Sequence, residues 1–266
     1  MSRFDKGISR IEELEMRTED GRNTSPVHPL VLTLFTLFYI VLTVSFPKYA
    51  LSGILLFFTY PIAVFILSDL PLSMALRRVL TVLPLILVIG IVNPFLDRGT
   101  AFTLFGLPVS YGLLSFLTLT LKGILAVLAA FILIAFIGIE GIVYALRLVR
   151  VPEVLTTVLL LIYRYISLIA REAAAMSDAY KLRAPGQRGI AFKNWGSFAG
   201  QLLLRSYDRA GVLYESMLLR GYNGTFPAYG ERKVRTWEIV LFVLLAAAYL
   251  MLRIFMPAEL FGGLLK

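Results

Sequence analysis

The chain of 266 residues contains no cysteine and a single histidine, His28. The absence of cysteine excludes disulfides, thiolate metal sites and cysteine nucleophiles. One imidazole cannot build the usual histidine cage for a metal, so we expect no metal and no cofactor in this chain. A serine triad would have to use His28, and a structural or solvent-exposed histidine is the more common state of such a residue. These absences predict no catalytic residues.

Charged residues are also scarce. They make up 16% of the chain, while 58% of the residues are hydrophobic. A soluble domain has roughly 25% charged residues, because it must cover its core with polar surface. The composition therefore predicts an all-α integral membrane protein. Residues 1–25 are polar and charged, and they do not resemble a cleavable signal peptide.

Five apolar runs approach the length of about 20 residues that a helix needs to cross the hydrocarbon core. They are Leu30–Phe46, Ala50–Leu67, Val79–Leu96, a span within Gly112–Gly138, and Trp237–Met256. The predicted organisation is a cytoplasmic N-terminal segment (1–29), a bundle of four spans (30–138), a cytoplasmic region (139–235), and a final helix with the C-terminus (236–266). We expect Trp237 and Tyr249 at the membrane interface.

The positive charges predict the orientation of these spans. With the N-terminus inside, residues 1–29, a loop around Arg77 and Arg78, and residues 139–235 face the cytoplasm and hold five, two and fourteen of the 26 basic residues. The opposite topology would violate the positive-inside rule. Lys122 lies inside the fourth span. We expect it to reach the interface, with a role in transport as the alternative.

Residues 139–235 have the spacing of amphipathic helices. Apolar residues recur every three or four positions, at Tyr163, Ile166, Ile169, Ala173, Met176 and Tyr180. A second helix is predicted from about Ser197 to Arg220, after a break at Ala184-Pro185-Gly186. A shorter piece covers Ile139–Val149. The run Val154–Tyr163 is too short to span a membrane and is expected in the interface.

Each long helix ends in an arginine flanked by small or apolar residues. The two sequences are Leu182-Arg183-Ala184 and Leu219-Arg220-Gly221. One interpretation is that both arginines bind lipid headgroups, as interfacial helices do. The other is that each helix end docks into an acidic pocket of a partner. A cation at a helix C-terminus is favourable, and a guanidinium fits a carboxylate in bidentate fashion.

Arg164 lies between two tyrosines, where a functional cation–π or carboxylate contact is one interpretation. We expect a structural pair with Glu172 or with another helix, because an arginine removed from water needs a partner. If the helix ends dock to a partner, the candidate site residues are Leu182, Arg183, Ala184, Leu219, Arg220 and Gly221.

The sequence resembles the transmembrane T component of energy-coupling factor (ECF) transporters, the ATP-binding-cassette importers of metals and vitamins. The matching stretches are Thr24-Ser25-Pro26-Val27-His28-Pro29, Val92-Asn93-Pro94-Phe95, Ala145-Leu146-Arg147, Val151-Pro152, Tyr163-Arg164-Tyr165, Glu172, Leu204-Arg205-Ser206, Arg209-Ala210 and Met217-Leu218-Leu219-Arg220-Gly221-Tyr222. The resemblance covers about residues 22–250 and is closest to the branch that imports cobalt or nickel.

This resemblance implies a mechanism. Two long cytoplasmic coupling helices end in docking arginines, here Arg183 and Arg220, which sit in grooves of two ATPase subunits. ATP binding closes the ATPase pair, and the helices transmit the motion to a separate substrate-binding membrane subunit. The second motif fits the family pattern, whereas the first reads Leu-Arg-Ala where the family has Ala-Arg-Gly. The metal is bound by the partner subunit, in agreement with the lack of ligands here.

Two other functions are compatible with a membrane protein of this size. An enzyme acting on lipid phosphates would need clustered carboxylates or histidines, and Glu140, Glu153, Glu172 and Asp178 form no metal-ligand pair such as D-x-x-D. A stand-alone secondary transporter would show internal repeats, and none is evident. No motif for nucleic-acid recognition and no Walker-type phosphate loop occurs, so ATP hydrolysis is expected in partner subunits.

Overall fold

The computed structural model describes residues 27–68, 70–96, 99–104, 107–187, 189–224 and 234–255. The stretch Thr24-Ser25-Pro26 lies outside the described residues. The chain forms two compact units, one drawn from Ser25–Gly138 with Arg232–Lys266 and the other containing Ile139–Glu231. We call them the bundle unit and the helical-arm unit.

The predicted all-α class is confirmed. The elements in chain order are α1 (Pro29–Ser45), α2 (Leu51–Phe57), α3 (Thr59–Leu67), α4 (Leu72–Gly90), α5 (Asn93–Leu96), β1 (Thr100–Leu104), β2 (Leu107–Ser110), α6 (Tyr111–Leu148), α7 (Glu153–Arg183), a 3-10 turn at Phe192–Asn194, α8 (Trp195–Leu219) and α9 (Thr236–Phe255). The sequence did not predict the antiparallel hairpin of β1 and β2.

Four described helices are long and apolar enough to cross a membrane: Leu72–Gly90, Tyr111–Leu148, Glu153–Arg183 and Thr236–Ile254. The first two predicted spans correspond to shorter apolar helices, Pro29–Ser45 and Gly53–Leu67. Helix α7 lies in the region that the sequence predicts to be cytoplasmic. Its N-terminal half nevertheless has the composition of a transmembrane span. The chain is a multi-pass membrane protein by this distribution of apolar helices.

Several predicted boundaries were wrong. The third span begins at Leu72, after Pro71, and ends at Gly90. Arg77 and Arg78 therefore lie within α4 and not in a loop, with both side chains exposed. Long arginine side chains near a helix end reach water while the backbone stays helical, so their charge did not require a break. Val154–Tyr163 is continuous with the rest of α7.

Helix α1 begins at a histidine cap. The Nδ1 atom of His28 accepts a hydrogen bond from the backbone N–H of Leu30 at 3.2 Å, and Pro29 occupies the first helical position. Proline is favoured there because its missing N–H would have no partner in the helix. His28 is only 1% exposed. The single histidine is thus a structural cap, as the sequence interpretation expected.

The second apolar helix is broken at Phe58, between α2 and α3. Pro61 explains the break, because it has no N–H to donate to the carbonyl of Phe57 four residues earlier. The Tyr39 hydroxyl of α1 donates to that carbonyl at 2.7 Å, in a fully buried position. Tyr39 therefore satisfies the backbone group that the proline leaves unpaired.

Aromatic rings surround this hydrogen bond. Tyr39 packs against Phe57 at 5.5 Å and against Tyr249 of α9 at 5.7 Å between ring centroids. The Tyr249 hydroxyl is 2.9 Å from the Thr59 hydroxyl. Tyr249 is thus part of the core of the bundle unit, and its depth at the membrane interface stays a prediction. The polar tips of these rings join α1, the broken helix and α9.

We expect Tyr39→Phe to lower the free energy of unfolding by about 1–2 kcal/mol, because a buried carbonyl loses its donor while the ring remains. Denaturation by sodium dodecyl sulfate in mixed micelles measures the change. Tyr60→Phe is the matched control, since the buried Tyr60 hydroxyl lies near Thr36 but makes no hydrogen bond of normal geometry among the described residues. That variant should be neutral or more stable. Equal losses in both variants would contradict the assignment.

Two cations close the C-terminal end of α1. The Lys122 ammonium donates to the carbonyls of Val44, at 3.1 Å, and Phe46. The Arg253 guanidinium donates to the Ser45 carbonyl at 3.0 Å and lies over the Phe46 ring. The last carbonyls of a helix have no internal partner and carry partial negative charge. Lys122 thus caps a neighbouring helix end, and its position at the interface stays a prediction.

The long helix α6 is kinked at Gly138, whose backbone angles, φ 63° and ψ −178°, are not helical. Only glycine adopts this region at little cost. The division between the two units falls at this residue. The predicted short helix Ile139–Val149 follows directly and ends at Leu148.

The C-terminus of α6 is closed by a Schellman motif. The Val151 N–H bonds to the Leu146 carbonyl at 3.1 Å, and the Arg150 N–H bonds to the Arg147 carbonyl at 3.0 Å. This motif places a residue in the left-handed region, which is usually glycine. Here the residue is Arg150, with φ 66°, and it is the one non-glycine residue with positive φ in the described ranges. An L-residue pays about 1–2 kcal/mol for this conformation.

Candidate docking site at the ends of the two long helices

Helix α7 ends as the sequence predicted, at Arg183. The N–H of Ala184 makes the last helical bond, to the Tyr180 carbonyl at 3.0 Å. Ala184 has φ −127° and ψ 68°, since the proline that follows disfavours the helical conformation at this position. Leu182 is 85% exposed, and Arg183 is exposed beside it. The first predicted docking motif is thus a protruding leucine–arginine pair.

The turn after α7 is held by one phenol, which the sequence analysis did not find. The Tyr180 hydroxyl donates to Gln187 Oε1 at 2.9 Å and accepts from Asn194 Nδ2 at 2.9 Å. Positions 187 and 194 lie on either side of the turn that leads into α8. The phenol therefore fixes the chain that leaves Arg183. No sequence pattern signals this network, because its members are seven residues apart in irregular backbone.

Helix α8 ends in a Schellman motif with glycine in the required place. The Gly221 N–H bonds to the Leu218 carbonyl at 2.9 Å, and the Tyr222 N–H bonds to the Met217 carbonyl at 3.0 Å. Gly221 has φ 82°. Arg220 is the capping residue, and Leu219 before it is 90% exposed. The glycine of the second motif thus ends the helix in a fixed geometry that presents Leu219 and Arg220 to solvent.

The first motif has no equivalent cap, because Ala184 stands where Gly221 stands in the second. Glycine with positive φ occurs two residues later, at Gly186, with φ 95°. The Leu-Arg-Ala departure therefore coincides with a different helix ending. The structure brings Leu182, Arg183 and Ala184 together at the end of α7, and Leu219, Arg220 and Gly221 together at the end of α8.

A carboxylate on α7 links the two long helices. Glu172 accepts from Arg205 of α8 through Oε1, and its Oε2 lies 3.8 Å from Arg209 Nη2. Arg205 and Arg209 are one helical turn apart, so both reach the same carboxylate. Glu172 therefore pairs across to α8. Of the two partners expected for Arg164, Glu172 is thus wrong, since no ion pair joins these two described residues, and the Arg164 side chain is exposed.

This link lies eleven residues before Arg183 on α7. On α8 it lies eleven to fifteen residues before Arg220, because Arg205 and Arg209 both reach Glu172. Eleven helical residues span about 16 Å. The ion pairs are partly exposed, with the Glu172 side chain 26% exposed, so their contribution to stability is small. Their consequence is geometric, because they fix where α7 and α8 meet relative to both ends.

Both long helices expose large apolar side chains. On α8 they include Leu203, Leu204, Tyr207 and Val212, and none of its residues is buried. Exposed apolar surface of this extent marks contact with protein or lipid. Among the described residues, no group of three or more histidine, aspartate and glutamate side chains can hold a metal ion. The described part of this unit thus presents exposed apolar surface on both long helices.

The comparison with protein families gives a match over residues 22–229 to the family CbiQ, cobalt transport protein. This range includes both arginine motifs. The chain is 30% identical to the uncharacterized protein MJ1571 of Methanocaldococcus jannaschii over 198 residues, which are 70% of this chain and 68% of that protein. It is 24% identical to the uncharacterized protein MJ1089 of the same organism over 117 residues, 44% of each chain.

The family match extends over more than half of the chain, and it confirms the resemblance to the T component of ECF transporters. The chain belongs to the CbiQ family of cobalt transport proteins.

Proposed function

We propose that this chain is the energy-coupling transmembrane subunit of an ECF-type importer. It links ATP-binding-cassette ATPases to a substrate-binding membrane subunit, for uptake of cobalt or nickel. Arg183 and Arg220 dock the ATPases, with Leu182, Ala184, Leu219 and Gly221 shaping the two contacts. The N-terminus and the helical-arm unit face the cytoplasm in this proposal. ATP hydrolysis belongs to the partners.

The main support is the pair of exposed leucine–arginine ends on two helices joined by a carboxylate. A leucine that is 85–90% exposed buries almost none of its side chain within the described structure, and it would fit an apolar groove of a partner. The neighbouring guanidinium supplies a bidentate contact to a carboxylate in that groove. The two ends thus have matching anchors in a subunit without metal ligands of its own.

Energy transfer follows from the link at Glu172. When two ATPase subunits move, each docked helix end is displaced. Glu172 on α7 contacts Arg205 and Arg209 on α8. Because these contacts oppose sliding of the two helices along each other, a displacement of α8 also displaces α7. The substrate-binding subunit contacts the exposed apolar faces of α7 and α8, and it moves when these helices move.

Purification of the tagged chain from its native membrane tests the proposal. We expect an ATP-binding-cassette ATPase and a second small membrane protein to copurify after gentle solubilisation. The bound metal or vitamin of that second protein identifies the substrate. Glu172→Gln is a variant of particular use, because it should leave copurification intact while it reduces transport per ATP hydrolysed.

A chain that purifies alone and transports a solute by itself in liposomes would contradict the proposal. That result would assign the protein to the stand-alone secondary transporters. Hydrolysis of a lipid phosphate by the purified chain would assign it to the membrane enzymes.

A further inference from the structure

The turn between α6 and α7 contains an open depression of about 640 Å³. Arg147 and Arg150 line it together with Tyr144 on one side and Glu153 on the other. This depression lies outside both docking motifs. The two arginines lie within four residues of each other, and the proposed docking of ATPases does not involve them.

Arg150 occupies a backbone position that glycine takes elsewhere in this chain. Gly221 holds the left-handed position in the cap of α8, whereas Arg150 holds it in the cap of α6. A strained non-glycine residue persists where its side chain is needed. Glycine would satisfy the backbone conformation of this turn without strain. The arginine side chain is therefore the feature to explain.

The two arginines differ in their pairing. Arg147 forms an ion pair with Glu153 at 3.1 Å, which spans the turn from the end of α6 to the start of α7. No ion pair joins Arg150 to an acidic group of the described residues, and its side chain is exposed. The depression therefore carries one net positive charge, and it has a guanidinium available for an anion.

The flanking residues indicate the source of that anion. Helices α6 and α7, on either side of the turn, are both long and apolar enough to cross a membrane. Leu148 and Val149 before the depression are exposed, and Val154 after it is 70% exposed. Cations beside exposed apolar side chains suit a lipid, whose phosphate contacts the cations while its acyl chains cover the apolar surface.

We propose that Arg147 and Arg150 bind the phosphate of an anionic phospholipid at the turn between α6 and α7. Arg150 is the principal ligand, and Arg147 shares its guanidinium between the lipid and Glu153. The site anchors the start of α7 at the membrane surface. This inference does not depend on ATPase docking, and its lipid-binding measurement uses the chain without partners.

The experiment measures binding of phosphatidylglycerol to the purified full chain by titration in native mass spectrometry, with phosphatidylcholine as the reference lipid. We expect Arg150→Gly to weaken phosphatidylglycerol binding by about fivefold, the contribution of one cation near a membrane. Its melting temperature should be unchanged or higher, because glycine relieves the left-handed position. Glu153→Gln should strengthen binding, since it frees Arg147 for the phosphate.

Arg164→Gln is the matched control, an exposed arginine of the same unit that should retain wild-type affinity. Wild-type affinity in Arg150→Gly, or equal losses in both arginine variants, would overturn the proposal. So would stabilisation by inorganic phosphate without any preference for phosphatidylglycerol, which would indicate a site for free anions. Loss of ATPase binding in Arg150→Gly with unchanged lipid binding would assign the turn to a protein partner.

Discussion

Arg220→Glu should abolish ATPase binding while the chain remains folded in the membrane. Arg220 is exposed and caps α8, so its replacement removes no contact within the described part of the chain. In the complex, a partner carboxylate would lose its cation and face a new anion. Breaking a buried pair costs about 3–5 kcal/mol. This corresponds to a loss of at least about hundredfold in affinity.

Biolayer interferometry with the copurifying ATPase and the chain in nanodiscs measures this affinity. Arg164→Glu is the control, because it makes the same charge change at an exposed position of α7 away from both ends. Arg183→Glu should also weaken binding, and the absence of a glycine cap at its motif predicts a less rigid anchor. Wild-type affinity in Arg220→Glu would exclude this residue from docking.

The class of the fold could be predicted because it depends on composition. Few charges and long apolar runs leave a helical membrane protein as the solution, and the ends of α7 and α8 follow from Pro185 and Gly221. The error at Arg77 and Arg78 has a different cause. Charged side chains indicate exposure to water, and they do not indicate a loop. An exposed helix face near the end of α4 gives Arg77 and Arg78 the same exposure.

The helix ends that carry the candidate site could be predicted, and the contact between the two helices could not. Arg183 and Arg220 follow from helix-stop signals, which are local in sequence. Glu172 meets Arg205 across 33 positions, and only packing of the two helices selects it over the nearer Arg164. Tyr39 meets the Phe57 carbonyl across 18 positions for the same reason. Pro61 signals an unpaired carbonyl, but only the fold shows which donor reaches it.

Gly221 allows a test of whether the shape of the helix end matters apart from its charge. Gly221→Val keeps Leu219 and Arg220 but places a β-branched residue at φ 82°. Such a residue is a genuine outlier in this region. A Cβ at this position meets no atom within 4 Å, so the cost comes from the backbone and not from a clash. We expect the bonds from Gly221 and Tyr222 to the end of α8 to be lost.

Loss of these bonds releases Arg220 from its fixed geometry. A conformational cost of about 1–2 kcal/mol lowers ATPase affinity by roughly 5–30-fold, in the same interferometry measurement. Gly221→Asn is the matched variant, because asparagine tolerates the left-handed region and should retain near wild-type affinity. Equal losses in both variants would mean that the partner tolerates no side chain at position 221. Full affinity in Gly221→Val would mean that docking does not use the capped geometry. Only a weakened valine variant beside an intact asparagine variant supports a preorganised arginine.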